Sequence, residues 1–449
     1  MYRDRLDAAA QLLSRLERFR GERAVVLGLP RGGVPVAAAV AEGLGLPLDV
    51  IVVRKLGMPA EPEVAMGAIG EGGARLVDAE LLGAAGVSIG ELSDVERRER
   101  AVLERRVALL RRGEPPHPLV GVTAIVVDDG VATGATAEVA CRVARSLGAR
   151  RVVLAVPVGP ADVAAHVPSA GEVVCATVPR RFHAVGQAYG DFSATSDDEV
   201  VLLLDAARRR IRGEAWRPAA SARASDERVP HGTIELPADL RVPDRPTGFV
   251  VFAHGSGSSR RSPRNRLVAE ALERAGLGTL LLDLLVPGEE GEESDRANVF
   301  DIPLLASRLG VAVAWLRERP EARGLPVGCF GASTGGGAAL WAAAEPGVDL
   351  RAVVSRGGRP DLAGERLGDV RAPTLLIVGG ADDRVLELNR DAQRRLAAPS
   401  ELAVVPGATH LFEEDGTLAE VAILARDWFL RWFDEAAADA TADGVGGGP

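Results

Sequence analysis

Ile125-Val126-Val127-Asp128-Asp129-Gly130-Val131-Ala132-Thr133-Gly134-Ala135-Thr136 runs from a β-branched apolar stretch through two adjacent carboxylates into a small, hydroxyl-bearing loop. An amphipathic segment follows at once. A buried strand that ends in acids and turns straight into a helix is the connection of a parallel sheet, and such sheets take ligands at strand C-termini. The loop's N–H groups, with the Thr133 and Thr136 hydroxyls, suit a monophosphate, because the first amides of a helix lack intrahelical acceptors. Asp128 and Asp129 suit ribose hydroxyls or a hydrated Mg²⁺, met directly or through water.

Outward from this stretch the same pattern repeats. Apolar runs at 24–29, 152–156, 249–253, 279–284, 327–330 and 374–378 alternate with helical spacing at 34–44, 135–147, 263–275, 311–319 and 387–396. That alternation predicts an α/β protein with parallel sheets covered on both faces. It breaks once, at GEAWRPAASARASDERVP (213–230), which is polar and holds two prolines. We therefore expect a first α/β domain over 1–212, a linker over 213–230 and a second α/β domain over 231–433. The Ala/Asp/Gly-rich end, 434–449, is expected to be a flexible tail. No internal repeat is visible.

Composition excludes several classes. The chain has 449 residues, 47% of them apolar, enough for full cores. A net charge of −10 argues against bulk nucleic-acid binding. Cys141, Cys175 and Cys329 lie far apart without CxxC spacing, so neither a disulfide framework nor a zinc ribbon is expected. No apolar run approaches the ~18 residues of a membrane span, and the N-terminus lacks a signal-peptide core. The expectation is a soluble, cytoplasmic protein without membrane or nucleic-acid partners; a homo-oligomeric state is left open.

Upstream, the strand at 24–29 enters Pro30-Arg31-Gly32-Gly33 and then a helix. A glycine pair there lets a phosphate approach the main chain, and Arg31 adds a fork of donors. Neither a Walker A loop nor a GxGxxG turn is present. One further feature is compositional: of the 53 Lys and Arg residues, only Lys55 is a lysine. It lies in Arg54-Lys55-Leu56-Gly57.

VVDDGVATGAT resembles the PRPP-binding motif of type I phosphoribosyltransferases, and PRGG resembles their pyrophosphate loop. The resemblance covers most of 1–212. It implies that Gly130 to Thr136 wrap the 5-phosphate of PRPP and that Asp128 and Asp129 hold the ribose with Mg²⁺. Arg31, Gly32 and Gly33 would take the pyrophosphate. Arg54 and Lys55 would lie in a flexible catalytic loop, Lys55 meeting the departing pyrophosphate. Ala135 replaces a glycine common in that motif. The acceptor base is not specified. Phe182, Tyr189 and Phe192, within RRFHAVGQAYGDF, read equally as a stacking hood or as a small core under a loop.

In the second half, Gly331-Ala332-Ser333-Thr334-Gly335 follows an apolar strand and precedes an Ala-rich helix. This is G-x-S-x-G in the strand–turn–helix setting of a nucleophile elbow. The partners follow in the required order. Asp382, with Asp383 as alternate, ends a strand, and His410 is the only histidine after Ser333. His254-Gly255-Ser256-Gly257 suits an oxyanion hole, with the N–H groups of Ser256 and Thr334 as donors, and His254 shaping the loop. Residues 231–433 resemble the α/β-hydrolase fold, most closely its dienelactone-hydrolase-like branch, though that branch often uses Cys where Ser333 stands. The resemblance implies a small ester or lactone substrate and no cofactor for this half. The sequence therefore predicts a bifunctional fusion of a PRPP-binding phosphoribosyltransferase and a serine hydrolase. Its alternative is a serine hydrolase regulated by a non-catalytic domain that senses PRPP or a nucleotide.

Overall fold

The computed structural model describes residues 1–61, 64–213, 222–286, 288–289 and 297–444. The chain divides into two compact units, Met1–Glu214 and Ala215–Pro449.

The first unit contains β1 (Ala24–Gly28), β2 (Leu48–Val50), β3 (Val53–Gly57), β4 (Ala65–Gly70), β5 (Arg75–Val77), β6 (Thr123–Val127), β7 (Arg151–Val158) and β8 (Glu172–Thr177). Its main sheet is parallel, in the order β2-β1-β6-β7-β8. Every residue of β1 and β6 is buried, which their Ala/Val/Ile-rich composition permits and a two-sided helical cover requires. The strand order reverses between β1 and β6. Gly28 pairs with Val127 at the end of both strands, so Leu29–Gly33 and Asp128–Thr136 leave the sheet side by side. A small antiparallel sheet, β3-β4-β5, is separate. Arg54 and Lys55 lie on β3, with Lys55 opposite Ala68, so this segment is a paired strand and not a loop.

The second unit contains β9 (Arg223–His231), β10 (Ile234–Val242), β11 (Gly248–Ala253), β12 (Leu277–Leu282), β13 (Val327–Ala332), β14 (Ala352–Arg356), β15 (Thr374–Gly379) and β16 (Ser400–Val405). They form one sheet in the order β16-β15-β14-β13-β11-β12-β10-β9. β10 runs antiparallel to β12 and to β9; the pairs from β12 through to β16 are parallel. Here the order reverses around β11 and β13. The core on one face of this sheet includes Phe249, Cys329 and Leu376, all fully buried.

Two expected boundaries move. Residues 223–230, read as linker, belong to β9, which pairs residue for residue with β10 from Arg223–Val242 to His231–Ile234. β9 is an edge strand whose side chains are mostly exposed. An edge strand carries polar and charged residues that blunt further pairing, and so imitates a linker in composition. Residues 214–221 lie outside the described residues. Of the expected tail, 434–444 continue the helix Thr417–Gly444. Alanine favours that continuation. Residues 445–449 lie outside the described residues.

Candidate active sites

In the first unit the two loops at the strand reversal touch. A Cβ on Gly32 would lie 2.1 Å from Asp129 Oδ2, and one on Gly33 would lie 2.7 Å from the Val127 carbonyl. Only glycine permits this approach. The helices Gly33–Leu44 and Ala135–Ser146 both start here, and neither has a side-chain cap on its first amides. Gly134, at φ +78°, turns the chain into the second of them. Ala132, Thr133, Ala135 and Thr136 are exposed on this loop, as is Arg31 on the other; Gly130 and Val131 are buried beneath. The Val131 N–H donates to the Val158 carbonyl, 2.9 Å away. The Gly33 and Val34 N–H groups likewise donate within their own turn, to the Leu29 and Arg31 carbonyls at 3.0 and 3.1 Å, so what the mouth of the sheet presents outward is the Arg31 side chain, the Thr133 and Thr136 hydroxyls and the uncapped start of Ala135–Ser146.

The acids are electrostatically unlike their solvated forms. Burial, and after it the adjacent Asp129 carboxylate, pushes the Asp128 carboxyl up to about 8. Burial also raises Asp129, against the opposing pull of Arg5. Arg5 was not singled out in the sequence. Its Nε and Nη2 lie 2.9 and 2.8 Å from Asp129 Oδ2. The pair is separated by 124 residues, and no local spacing announces it.

The aromatic segment takes mainly the small-core form. Tyr189 is buried against Tyr2, with ring centroids 5.4 Å apart, and its hydroxyl donates to the Asp129 carbonyl at 2.6 Å. Phe182 packs partly buried in the same cluster. Phe192 keeps 38% exposure but already stacks on Tyr189 at 5.0 Å. On β3, Arg54 is held by Glu99, its Nε 2.8 Å from Oε2, and Lys55 is exposed.

In the second unit, Ser333 adopts φ +52° and ψ −121°, a strained left-handed backbone for a side chain with a Cβ. A Cβ on Gly331 would lie 2.4 Å from the Gly335 carbonyl oxygen, and one on Gly335 2.4 Å from that of Ala253. The elbow therefore requires glycine on both flanks. His410 Nε2 lies 3.3 Å from Ser333 Oγ, and its Nδ1 lies 2.7 Å from Asp382 Oδ2. Asp382 also caps the next helix by accepting from the Val385 N–H, which fixes its direction. Asp383 is exposed as that helix's first residue. The structure thus brings Ser333, His410 and Asp382 into one chain of contacts and leaves Asp383 out of it.

The two residues expected to supply oxyanion donors touch each other. The Ser256 N–H donates to Thr334 Oγ1 at 2.8 Å, so one assigned donor is closed onto the other assigned residue. A threonine hydroxyl at a helix start is a ready local acceptor, and sequence spacing gives no sign of the 78-residue contact. His254 is 8% exposed; its Nε2 accepts from the Leu284 N–H at 3.0 Å while Nδ1 donates to the Gly255 carbonyl at 2.9 Å. Both ring nitrogens serve the loop.

Residues 2–186 match the family model described as a phosphoribosyl transferase domain, and residues 242–438 match the dienelactone hydrolase family. Over 435 residues the chain is 56% identical to a Mycobacterium tuberculosis H37Rv protein named "Putative phosphoribosyl transferase"; the match covers 96% of this chain and 97% of that one. The chain belongs to that phosphoribosyl transferase family. The family member in strain CDC 1551 matches to the same extent. Among solved structures, a dienelactone hydrolase from Anabaena variabilis is 54% identical across 47% of this chain and 99% of its own, with a TM-score of 0.45. A protein from Thermus thermophilus, TT1426, is 43% identical across 45% and 97%, with a TM-score of 0.43. A phosphoribosyl transferase domain is thus fused to a dienelactone-hydrolase-family domain. Among the described residues, no helix is long and apolar enough to cross a membrane.

Proposed function

We propose that the protein is a bifunctional cytoplasmic enzyme: a PRPP-dependent phosphoribosyltransferase and a Ser-His-Asp hydrolase of small esters or lactones. One observation carries the reading. In each sheet the loops assigned to phosphate or nucleophile chemistry, Arg31–Gly33 and Asp128–Thr136 in the first and Ser256 and Ser333 in the second, lie where strand order reverses, the crevice that open α/β sheets use for ligands.

In the first half, the amides and hydroxyls of 130–136 receive the 5-phosphate, and Arg31, Gly32 and Gly33 receive the pyrophosphate. Asp128 and Asp129 face the ribose hydroxyls. Among the described residues, no three His, Cys, Asp or Glu side chains could hold a metal ion by themselves. Two carboxylates beside a phosphate cradle nevertheless fit Mg²⁺ carried by the substrate's own phosphates. Such an ion would neutralise diphosphate charge. Lys55 is the compact cation assigned to the leaving pyrophosphate; Arg54 reaches it only by exchanging Glu99. The acceptor is a base or nucleotide of unassigned identity.

In the second half, Ser333 Oγ attacks the acyl carbon and passes its proton to His410 Nε2. Asp382 accepts the Nδ1–H, fixing the tautomer and stabilising the imidazolium. The His410 proton then goes to the leaving alkoxide, and water repeats the sequence on the acyl-enzyme. The Thr334 N–H begins the oxyanion hole; the Ser256 N–H joins it once Thr334 Oγ1 turns away.

Calorimetry with PRPP and Mg²⁺, followed by assay of pyrophosphate release with candidate bases, tests the first half. Binding with turnover supports transfer. Binding without turnover supports the sensing domain instead, and no binding at millimolar ligand rejects the site. A fluorophosphonate probe that labels the wild type and not Ser333→Ala supports the second half.

A further inference from the structure

Terminal residues are usually frayed unless something ties them down. Here Tyr2 is 3% exposed. Its N–H donates to the Ala188 carbonyl at 2.7 Å, while the N–H groups of Gly190 and Asp191 donate to the carbonyls of Tyr2 and Arg3, each at 2.8 Å. The Tyr2 hydroxyl reaches the Pro157 carbonyl and Thr177 Oγ1, both at 2.7 Å. Asp4 then caps the helix Arg5–Leu16, which fixes Arg5 as its first residue.

From that position Arg5 uses all three nitrogens. Nε and Nη2 grip Asp129 Oδ2, Nη1 donates to the Ser193 carbonyl at 2.7 Å, and the guanidinium carbon lies 4.3 Å from the Phe192 ring centroid. One side chain therefore links the N-terminus, a carboxylate at the mouth of the sheet and the aromatic segment beyond it. Stability alone explains this poorly, because a well-packed apolar substitute usually serves a buried position as well as an ion pair. A carboxylate with one oxygen held in a fork, and its own backbone carbonyl held by Tyr189, instead presents its other oxygen in a fixed direction.

We propose that Arg5 is a positioning residue of the phosphoribosyl site: it orients the Asp129 carboxylate and clamps segment 182–193 over it. The proposal rests on the phosphoribosyl reading of Asp128–Thr136. It makes Tyr2–Arg5 part of the site although 124 residues separate Arg5 from Asp129. Lysine could keep the charge but not grip Asp129 with a fork while also reaching the Ser193 carbonyl.

The test uses the full chain. In the ligand-free protein, Arg5→Gln should speed amide exchange at 185–193 by roughly 10-fold while leaving β6 and 135–146 unchanged. With PRPP and Mg²⁺, Arg5→Gln should weaken binding by roughly 10-fold or more, as loss of hydrogen bonds to a charged group does. Arg5→Lys should recover only part of that loss, and it keeps the test readable if the Gln variant fails to fold. Arg20→Gln, which removes an exposed charge paired locally with Glu17, should leave PRPP affinity within about twofold. Unchanged exchange at 185–193 in Arg5→Gln overturns the clamp. PRPP affinity that Arg20→Gln weakens as much as Arg5→Gln overturns the orienting role. If the wild type binds no PRPP, the phosphoribosyl reading falls and the orienting role falls with it, while the exchange measurement still decides the clamp.

Discussion

The two candidate sites are assembled by different means. In the hydrolase half, reactive side chains touch one another directly, and each is aimed by the backbone at the end of its own strand: Ser333 after β13, Asp382 after β15, His410 after β16. In the phosphoribosyl half, the site is mostly loop backbone and glycine, and one of its acids, Asp129, is restrained by Arg5 from the chain's first helix. A site built from strand ends depends on a few side chains. A site built from loop backbone and a distant restraint should lose function in smaller steps.

The largest effect tests the first half of that contrast. Ser333→Ala should lower esterase kcat/KM by about 10⁴-fold or more, and His410→Ala nearly as far, since triad members act as one unit. Asp382→Asn should cost about 10⁴-fold and Asp383→Asn no more than twofold. Equal losses at the two acids would break the assignment.

Loss of PRPP binding should come next. Asp128→Asn with Asp129→Asn should weaken calorimetric PRPP–Mg²⁺ affinity by roughly 10–100-fold while leaving residual phosphate affinity. A complete loss of inorganic phosphate binding as well would mean that the acids also hold the loop in shape.

These outcomes bear on what was legible in the sequence. The fold was legible because buried parallel strands are continuous apolar runs and the loops between them are short. The position of Ser333 was legible because G-x-S-x-G constrains local backbone, and its contact with His410 because no other histidine follows it. The sequence did not distinguish Asp382 from Asp383, which required the direction set by the Val385 cap. Arg5 was not legible: a charged residue in an alternating N-terminus looks solvated until the chain is folded over β7 and β8. β9 was misread for the related reason that an edge strand need not be apolar, and β3 because Arg54 and Lys55 sit on an exposed strand of a small separate sheet.

A smaller effect concerns stability. Asp128 titrates at about 8 in the folded chain and at ~3.9 unfolded. Between those values the folded chain holds a proton that the unfolded chain has released, so stability from this group falls as pH rises from about 4 to about 8 and is flat below. Asp128→Asn removes the slope. Calorimetry should show the first unit's transition at least about 2 °C above wild type at pH 8 and little changed at pH 4. An equal rise at both values would point to packing and not to charge. In the other half, Gly331→Ala should destabilise by about 1–3 kcal/mol through its clash with the Gly335 carbonyl, whereas Gly368→Ala meets no atom within 4 Å and should be near neutral.

The smallest effect sharpens the contrast most, because it concerns a place where the hydrolase site is closed by a hydrogen bond of its own. Thr334 Oγ1 accepts the Ser256 N–H at 2.8 Å. If that N–H belongs to the oxyanion hole, the threonine hydroxyl competes with the substrate oxygen and must rotate away during the reaction. Thr334→Ala removes the competitor and leaves the Thr334 backbone N–H in place, so kcat should rise by up to about threefold, the scale of one neutral hydrogen bond. Thr334→Ser retains the hydroxyl and should stay within about twofold of wild type. A fall of ~10² in kcat for Thr334→Ala would be the signature of a lost donor. That result would mean that the hydroxyl holds the Ser256 loop in its working position, making this site depend on a long-range restraint as the phosphoribosyl site does.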